Sequence, residues 1–279
     1  MIHADYLRPG NLNDALQALA SGSFQVLAGG TDIFPSHSYS VPQVPVLDIS
    51  AVPNLSGIEL HDGYWHIGAT TTWSTLVRAQ LPPQLYGLQA AAREVGGIQI
   101  QNTGTVAGNI CNASPAADGV PALLSLDAEV ELVSVRGTRR MPLQQFLLGN
   151  RKTARESDEL VTAIRIPHRP EAHSAFLKLG HRRYLVISIV MVAAVVEVQQ
   201  GLISHVALAV GSCSAVAQRL HTLERKLIDQ PAHRALIDLV TEHDLAVLSP
   251  IDDVRGTAAY RADAALTLVR RAIAEAIHE

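Results

Sequence analysis

Cysteine is scarce in this chain. Only Cys111 and Cys213 occur among 279 residues, far apart and in no CxxC pair. This excludes a disulfide framework and an iron–sulfur cluster held by four cysteines, and it favours a reducing compartment. We interpret Cys111 as a small buried thiol and Cys213 as a core residue. The twelve histidines show neither an H-E-x-x-H pattern nor a Cys/His cluster, so we expect no metal site.

Long apolar runs and clusters of positive charge are also missing. The longest apolar stretch, residues 184–196, is interrupted by Ser188, whereas a membrane span needs about 20 apolar residues. The net charge of −4 comes with no Lys/Arg run that suits a phosphate backbone, so we expect no nucleic-acid binding. The N-terminus lacks the basic and apolar regions of a secretion signal. We therefore expect a cytoplasmic protein without a membrane span.

Apolar residues make up 48% of the chain but aromatic residues only 4%, which predicts an aliphatic core. The periodicity predicts strands at 24–28, 46–49, 128–135, 162–166 and 203–210, a hairpin at 55–68 that turns at Asp62-Gly63, and a strand or helix at 185–198. It predicts helices after Asn11 and at 70–79, 82–95, 220–228, 233–243 and 258–277. Strands dominate early and helices gather late, so the predicted fold class is α+β, with a domain boundary at 167–170.

The first segment that could carry chemistry is a short strand that ends in Gly29-Gly30-Thr31-Asp32. Glycine tolerates positive φ and adds no side chain, so consecutive backbone N–H groups can converge on an anion. The segment lacks the G-x-G-x-x-G spacing and the Gly-Lys-Ser/Thr of a P-loop, and Pro35 predicts a loop next instead of a helix. Taken alone, an ordinary turn remains the commoner interpretation of such a segment.

A second polar segment, residues 98–109, is spaced by glycines and continues to Asp118. Thr105, Asn109 and Asp118 offer a hydroxyl, an amide and a carboxylate, while Gly104 and Gly108 permit close backbone approach. Such a set suits a polyhydroxylated chain that bears phosphates. The alternative is a polar loop whose side chains cap one another. For this segment alone, the alternative is favoured.

Together the two segments resemble the FAD-binding (medium) subunit of the molybdenum hydroxylases, the xanthine dehydrogenase and carbon monoxide dehydrogenase family. The resemblance lies in Ala28 to Asp32, Thr105 to Asn109 and the Ser-Pro-x-x-Asp that ends at Asp118. Residues 175–183, with Lys178 and a following Arg pair, and residues 253–261 extend it over essentially the whole chain. It implies a two-part FAD-binding domain of the PCMH type at 1–168, with subdomains of about 1–54 and 55–168. A smaller α+β C-terminal domain would follow at 171–279.

The resemblance also implies which residues bind FAD. Ala28 to Asp32 would cradle the pyrophosphate, Thr105 to Asn109 would complete the cradle, and Asp118 would accept a flavin-chain hydroxyl. The full set is Ala28, Gly29, Gly30, Thr31, Asp32, Thr105, Val106, Ala107, Gly108, Asn109, Asp118, Val161 and Lys178, the last two on the far side of the cofactor. Ala107-Gly108 replaces the family's usual Gly-Gly, and valines replace the aromatics that stack on the flavin. No catalytic residue and no metal ligand is assigned to this chain.

The function that the resemblance implies is that of an oxidoreductase subunit. Hydroxylation would occur at a molybdopterin cofactor on a large subunit, and a small subunit with two-iron two-sulfur clusters would pass the electrons to FAD. The assembly would be a heterotrimer or a dimer of heterotrimers, with NAD⁺, a quinone or oxygen as the acceptor. Two alternatives stay open: a self-contained FAD-dependent oxidoreductase of the same fold, and a non-catalytic FAD-binding assembly module.

Overall fold

The computed structural model describes residues 6–36 and 44–277, which form an α+β structure. None of the helices in these ranges is both long and apolar enough to cross a membrane. Within the same ranges the strands form a three-stranded, a five-stranded, a four-stranded and a two-stranded sheet.

The first sheet is parallel and has the order β1-β3-β2. Its strands and the helices between them are β1 (Tyr6–Leu7), α1 (Leu12–Ser21), β2 (Gln25–Leu27), α2 (Ile33–Ser36) and β3 (Val46–Asp48). Helix α1 begins where predicted, because the Asn11 side chain accepts the N–H of Asp14 at 2.9 Å. The expectation of a loop after Asp32 is wrong: Pro35 lies in the one-turn helix α2. Proline is tolerated there because the first turn of a helix needs no N–H donor.

The second sheet is antiparallel and has the order β4-β5-β10-β6-β7. Its strands are β4 (Ile58–His61), β5 (Tyr64–Gly68), β6 (Glu129–Ser134), β7 (Gly137–Pro142) and β10 (Leu160–Pro167). The predicted hairpin is confirmed, and its turn places Asp62 and Gly63 at positive φ, as a two-residue hairpin requires. A two-stranded sheet lies beside it and consists of β8 (Leu147–Gly149) and β9 (Lys152–Thr153).

Helices connect β5 to β6, where the sequence predicts two helices and then a polar loop. They are α3 (Trp73–Arg78), α4 (Tyr86–Glu94), α5 (Ile98–Thr103), α6 (Val106–Asn112) and α7 (Gly119–Ser125), followed after β7 by α8 (Leu143–Phe146). The prediction of a loop at 98–109 is therefore wrong. Helix α5 buries none of its residues, so it has no apolar periodicity from which to predict it.

The third sheet occupies the C-terminal part and has the order β11-β12-β13-β14. Its strands are β11 (Ala172–Leu179), β12 (Val190–Gln199), β13 (Leu202–Gly211) and β14 (Gln218–Arg219), with helices α9 (His221–Leu227) and α10 (Ala258–Ile277). The strand-or-helix ambiguity at 185–198 is resolved as strand. The helix predicted at 233–243 is wrong: two short 3₁₀ helices, Arg234–Leu239 and Glu242–Leu245, occupy this segment.

Strand β12 is apolar and buried from Val190 to Val196 because both of its faces are covered there. Met191, Ala193 and Val195 belong to the core shared with the N-terminal helices, while Val190 and Val192 belong to the core under α10. Side chains of a strand alternate between faces, so one strand joins two cores. The C-terminal sheet is thereby packed against the helices that follow β5.

A buried arginine, Arg219, adds polar contacts between the C-terminal sheet and the helices that follow β5. Arg219 is 8% exposed and donates to Asp127 Oδ1 at 2.7 Å and to the carbonyl of Leu124 at 2.8 Å. Its Nε donates to Glu224 Oε1 at 2.7 Å, and that carboxylate also accepts the N–H of Leu208. One side chain thus ties the end of α7 to β13 and α9.

Replacing Arg219 with methionine should destabilise the fold strongly. The change leaves the buried Glu224 carboxylate without its closest cation, and removing one partner of a buried ion pair typically costs about 3–5 kcal/mol of unfolding free energy. Urea unfolding measures the loss. Arg136→Met is the matched control, because Arg136 pairs with Glu156 and Asp158 at the surface and its loss should barely move the midpoint. Equal midpoints for the two variants would contradict the role given to Arg219.

Candidate functional site

A cleft of about 620 Å³ opens between the first sheet and the helices that follow β5. This volume lies within the usual range of small-molecule sites, roughly 300–1,000 Å³. Ten of the thirteen predicted residues line it: Ala28, Gly29, Gly30, Thr31, Asp32, Thr105, Ala107, Gly108, Asn109 and Val161. Val106 is buried beneath the wall, and Asp118 and Lys178 lie outside the lining. A separate groove of about 710 Å³ between α4, β11 and α10 contains none of the predicted residues.

The first wall of the cleft is the turn between β2 and α2. Gly30 adopts a φ of +69°, and its carbonyl accepts the N–H of Phe34 at 3.0 Å to begin α2. Within the described part of the chain, the backbone N–H groups of Gly29 to Asp32 donate no hydrogen bond. Successive unpaired N–H groups in such a turn form a site that favours an anion.

The expected positive φ is found at Gly30, and both glycines are also required by the protein around them. A Cβ on Gly29 would overlap the carbonyl oxygen of Thr103, and a Cβ on Gly30 would overlap the Phe34 ring. Both side chains would therefore collide with the protein itself. The absence of a Cβ at Gly29 lets the first wall touch the second.

The second wall is the junction between α5 and α6. The carbonyl of Gly104 accepts the N–H of Trp73 at 3.1 Å, and Val106 donates to the carbonyl of Thr71 at 3.0 Å. These two bonds fix the junction to the start of α3. The Thr105 hydroxyl accepts the N–H of Gly108 at 3.0 Å and so caps α6. Thr105 therefore acts as a helix cap, as the alternative interpretation of this segment predicts.

Asn109 differs from Thr105, because its side-chain oxygen Oδ1 is buried and has no hydrogen-bond partner among the described residues. Asn109 lines the cleft one turn into α6. A buried polar atom without a partner is costly, so Asn109 is a candidate for contact with a bound molecule. Ala107, the departure from the usual Gly-Gly, lines the cleft within the same helix and adds one methyl group to the wall.

Asp118 and Lys178 form a buried ion pair one layer behind the cleft. Asp118 Oδ2 lies 2.9 Å from the Lys178 ammonium, and Oδ1 accepts the Ser188 hydroxyl at 2.6 Å. Lys178 is 6% exposed and also donates to the carbonyl of Glu94. Burial raises the pKa of Asp118 above its ordinary value, and the Lys178 charge and the Ser188 hydrogen bond oppose this shift only in part. The pair joins α7 to β11.

Two residues that are adjacent in sequence to members of this contact link the ion pair to the cleft. Gly119 follows Asp118, and a Cβ there would come within 3.0 Å of Asn109 Oδ1. Val95 follows Glu94 and lines the cleft. The pair therefore supports the wall from behind.

A third wall is formed by residues 151–161, of which sequence reasoning named only Val161. Arg151 donates to Asp32 Oδ2 at 3.1 Å and to Asn112 Oδ1 at 2.9 Å, so a cation lies beside the first segment. The signal for it was the Gly149-Asn150-Arg151 turn, a glycine-containing turn with a cation at its exit. It was missed because it is 119 residues from Asp32 and contains no recognisable spacing.

The cysteines differ from each other in their surroundings. Cys213 is fully buried, as predicted, whereas the prediction of a buried Cys111 is wrong, because Cys111 is exposed on the cleft wall. Neighbouring protein atoms desolvate the Cys111 thiol in part and raise its pKa, so it is neutral near pH 7. Among the described lining residues, the other ionisable groups are Asp32, Arg151 and Arg155, and Asp32 is already paired. The cleft can bind an anionic molecule and offers no evident acid or base.

Replacing Lys178 with methionine should lower stability in a pH-dependent way. The variant leaves Asp118 buried without its cation, which should cost about 3–5 kcal/mol of unfolding free energy at pH 8. The folded-state pKa of Asp118, already raised, should rise further. The folded state then binds a proton that the unfolded state lacks between pH about 4 and that pKa, so the loss should shrink as pH falls into this window.

Urea unfolding at pH 8 and pH 5 measures this effect. The double variant Asp118→Asn/Lys178→Met removes both charges and should recover much of the loss at pH 8. A single variant as stable as the wild type at pH 8 would show that the pair contributes little.

The comparisons with known proteins agree with this geometry. Residues 2–169 match the family model described as the FAD binding domain in molybdopterin dehydrogenase, and residues 175–276 match the CO dehydrogenase flavoprotein C-terminal domain. The chain is 32% identical over 280 residues to the xanthine dehydrogenase FAD-binding subunit of Escherichia coli O157:H7, a match that covers 98% of this chain and 96% of that protein. It is 30% identical to the nicotine 6-hydroxylase medium subunit of Paenarthrobacter nicotinovorans, with 97% and 96% covered.

A solved structure shares the whole fold. A chain of reconstituted CO dehydrogenase from Oligotropha carboxidovorans superposes with a TM-score of 0.91 at 26% identity, and 99% of each chain is covered. The resemblance inferred from the sequence motifs is thus confirmed. The chain belongs to the family of FAD-binding flavoprotein subunits of the molybdenum hydroxylases, which are oxidoreductases.

Proposed function

We propose that this chain holds FAD non-covalently in the cleft and passes electrons from the iron–sulfur clusters of a partner subunit to an external acceptor. The observation that most supports this proposal is that the two walls of the cleft offer complementary groups, hydrogen-bond donors on one and an acceptor on the other. One wall offers four unpaired N–H groups, Gly29 to Asp32, and the other a buried Asn109 oxygen without a partner. Such donors suit phosphates, and an acceptor of this kind suits a hydroxyl or ring N–H.

The proposed binding set keeps every residue that the family resemblance implies. Ala28 to Asp32 hold the pyrophosphate, and Thr105 to Asn109 form the opposite side, with Val106 as its buried support. Val161 lines the cleft from β10. Asp118 and Lys178 take part as the ion pair behind Asn109 and Val95. The bound flavin supplies the acceptance and release of electrons, and the protein residues position it and exclude water.

The proposed partners follow from the names of the related subunits. Relatives named as a medium subunit or medium chain imply a large and a small partner. We assign the molybdopterin cofactor to the large subunit and the two-iron two-sulfur clusters to the small one, in a dimer of heterotrimers. The free thiols of Cys111 and Cys213 suit a reducing, cytoplasmic location. The separate sheets support a division into 1–168, itself split near residue 54, and 171–279.

A reconstitution experiment tests the role in electron transfer. The purified chain, loaded with FAD, is mixed with its co-purifying partners, and reduction of the flavin after addition of the hydroxylase substrate is followed by its absorbance. We expect reduction with the partners and none without them. Substrate turnover by the isolated chain would support the self-contained oxidoreductase instead. Flavin that stays oxidised in a complex whose molybdenum and clusters are reduced would support the non-catalytic module.

Replacing Gly29 with alanine should weaken FAD binding. The new Cβ would overlap the Thr103 carbonyl, so the two walls must separate, and overpacking of this kind costs about 1–3 kcal/mol. FAD affinity should fall roughly tenfold or more, measured by titrating the apoprotein with FAD and following flavin fluorescence. Gly10→Ala is the matched control, because a Cβ at Gly10 meets nothing within 4 Å. Equal affinities in both variants would place the FAD site elsewhere.

A further inference from the structure

One carboxylate stands in the wall that is proposed to hold the pyrophosphate. Asp32 lies directly after Gly29-Gly30-Thr31 and lines the cleft. An unpaired carboxylate there would repel a diphosphate, because like charges at short distance disfavour each other. A wall that binds a doubly negative group therefore needs a cation to offset Asp32.

Arg151 supplies a cation at this place, and the surrounding backbone holds it there. Its Nη1 lies 3.1 Å from Asp32 Oδ2 and 2.9 Å from Asn112 Oδ1. Its own N–H donates to the carbonyl of Ala113, just past α6, at 3.0 Å, and its φ of 54° belongs to the turn between β8 and β9. Arg151 is thus held in place by its backbone N–H and by one nitrogen of its guanidinium.

The donors that remain on Arg151 distinguish it from the other arginine of the cleft. Arg155 Nη1 donates to the carbonyls of Glu156, Ser157 and Glu159, which ties that side chain to its own loop. Arg151 is 62% exposed, and its Nε and Nη2 donate to none of the described residues. Arg151 therefore keeps N–H groups for a ligand while Nη1 neutralises Asp32.

We propose that Arg151 is a binding residue for the diphosphate of the dinucleotide, acting by neutralising Asp32 and by donating its free N–H groups to phosphate oxygen. This inference rests on the proposed FAD site. It adds a third segment to that site, and it makes the affinity of the chain for FAD depend on the diphosphate. Riboflavin, which lacks phosphate, gains nothing from Arg151.

Titration of the apoprotein with FAD and with riboflavin, followed by flavin fluorescence, tests the proposal. Arg151→Met should raise the Kd for FAD about tenfold or more, the loss expected for one charge-assisted hydrogen bond, and leave the Kd for riboflavin within about twofold. Arg151→Lys keeps the charge, so its Kd for FAD should lie between those of Arg151→Met and the wild type. At about 1 M salt, where charges are screened within roughly 3 Å, the loss for FAD should shrink.

The Asp32→Asn background separates neutralisation from a purely structural role. With no carboxylate to offset, Arg151→Met should raise the Kd for FAD less there than in the wild type, because only the direct contact with phosphate is lost. Arg136→Met, an exposed arginine outside the cleft lining, is the control and should change neither Kd. An equal loss for FAD and riboflavin, or an unchanged Kd for FAD, would overturn the proposal. Failure of the wild-type chain to bind FAD at all would instead overturn the proposed function.

Discussion

The site depends on the backbone contact between Gly29 and Thr103. These residues lie 74 positions apart, and their approach is closer than any side chain at Gly29 would allow. The contact brings the first wall, with its unpaired N–H groups, against the second wall, which contains Asn109. The bonds from Gly104 and Val106 to α3 then hold the second wall in place. Without this contact, each segment is an ordinary turn, which is how either would be interpreted alone.

The C-terminal part of the chain matters to the cleft although none of its described residues lines it. Its strand β12 completes the core beneath the helices that follow β5, and Lys178 holds Asp118 from behind the wall. A buried ion pair adds little to net stability compared with an apolar pair, but losing one partner is costly. The pair therefore fixes how α7 and β11 meet, and through Gly119 it fixes the surroundings of Asn109.

Much of the fold could be predicted from the sequence where periodicity or turn chemistry is strong, as in the β4–β5 hairpin and α10, whereas β12 was predicted only as strand or helix. The failures have different causes. Helix α5 buries none of its residues, so no apolar stripe predicts it. Segment 233–243 has helical spacing, but it forms two short 3₁₀ helices in place of one α-helix. Most cleft-lining residues could be named through the family resemblance. Arg151 could not, because its position depends on a turn that only the tertiary fold brings to Asp32.

The charges of the cleft explain why binding and chemistry are separated in this chain. Its donors are mainly backbone N–H groups, which carry no net charge and need no proton. The carboxylate of Asp32 is paired with Arg151, and the Cys111 thiol is neutral because desolvation raises its pKa. None of the described lining residues is thus poised to take or give a proton to a substrate at neutral pH. This arrangement agrees with a chain that holds a redox cofactor within a multi-subunit oxidoreductase.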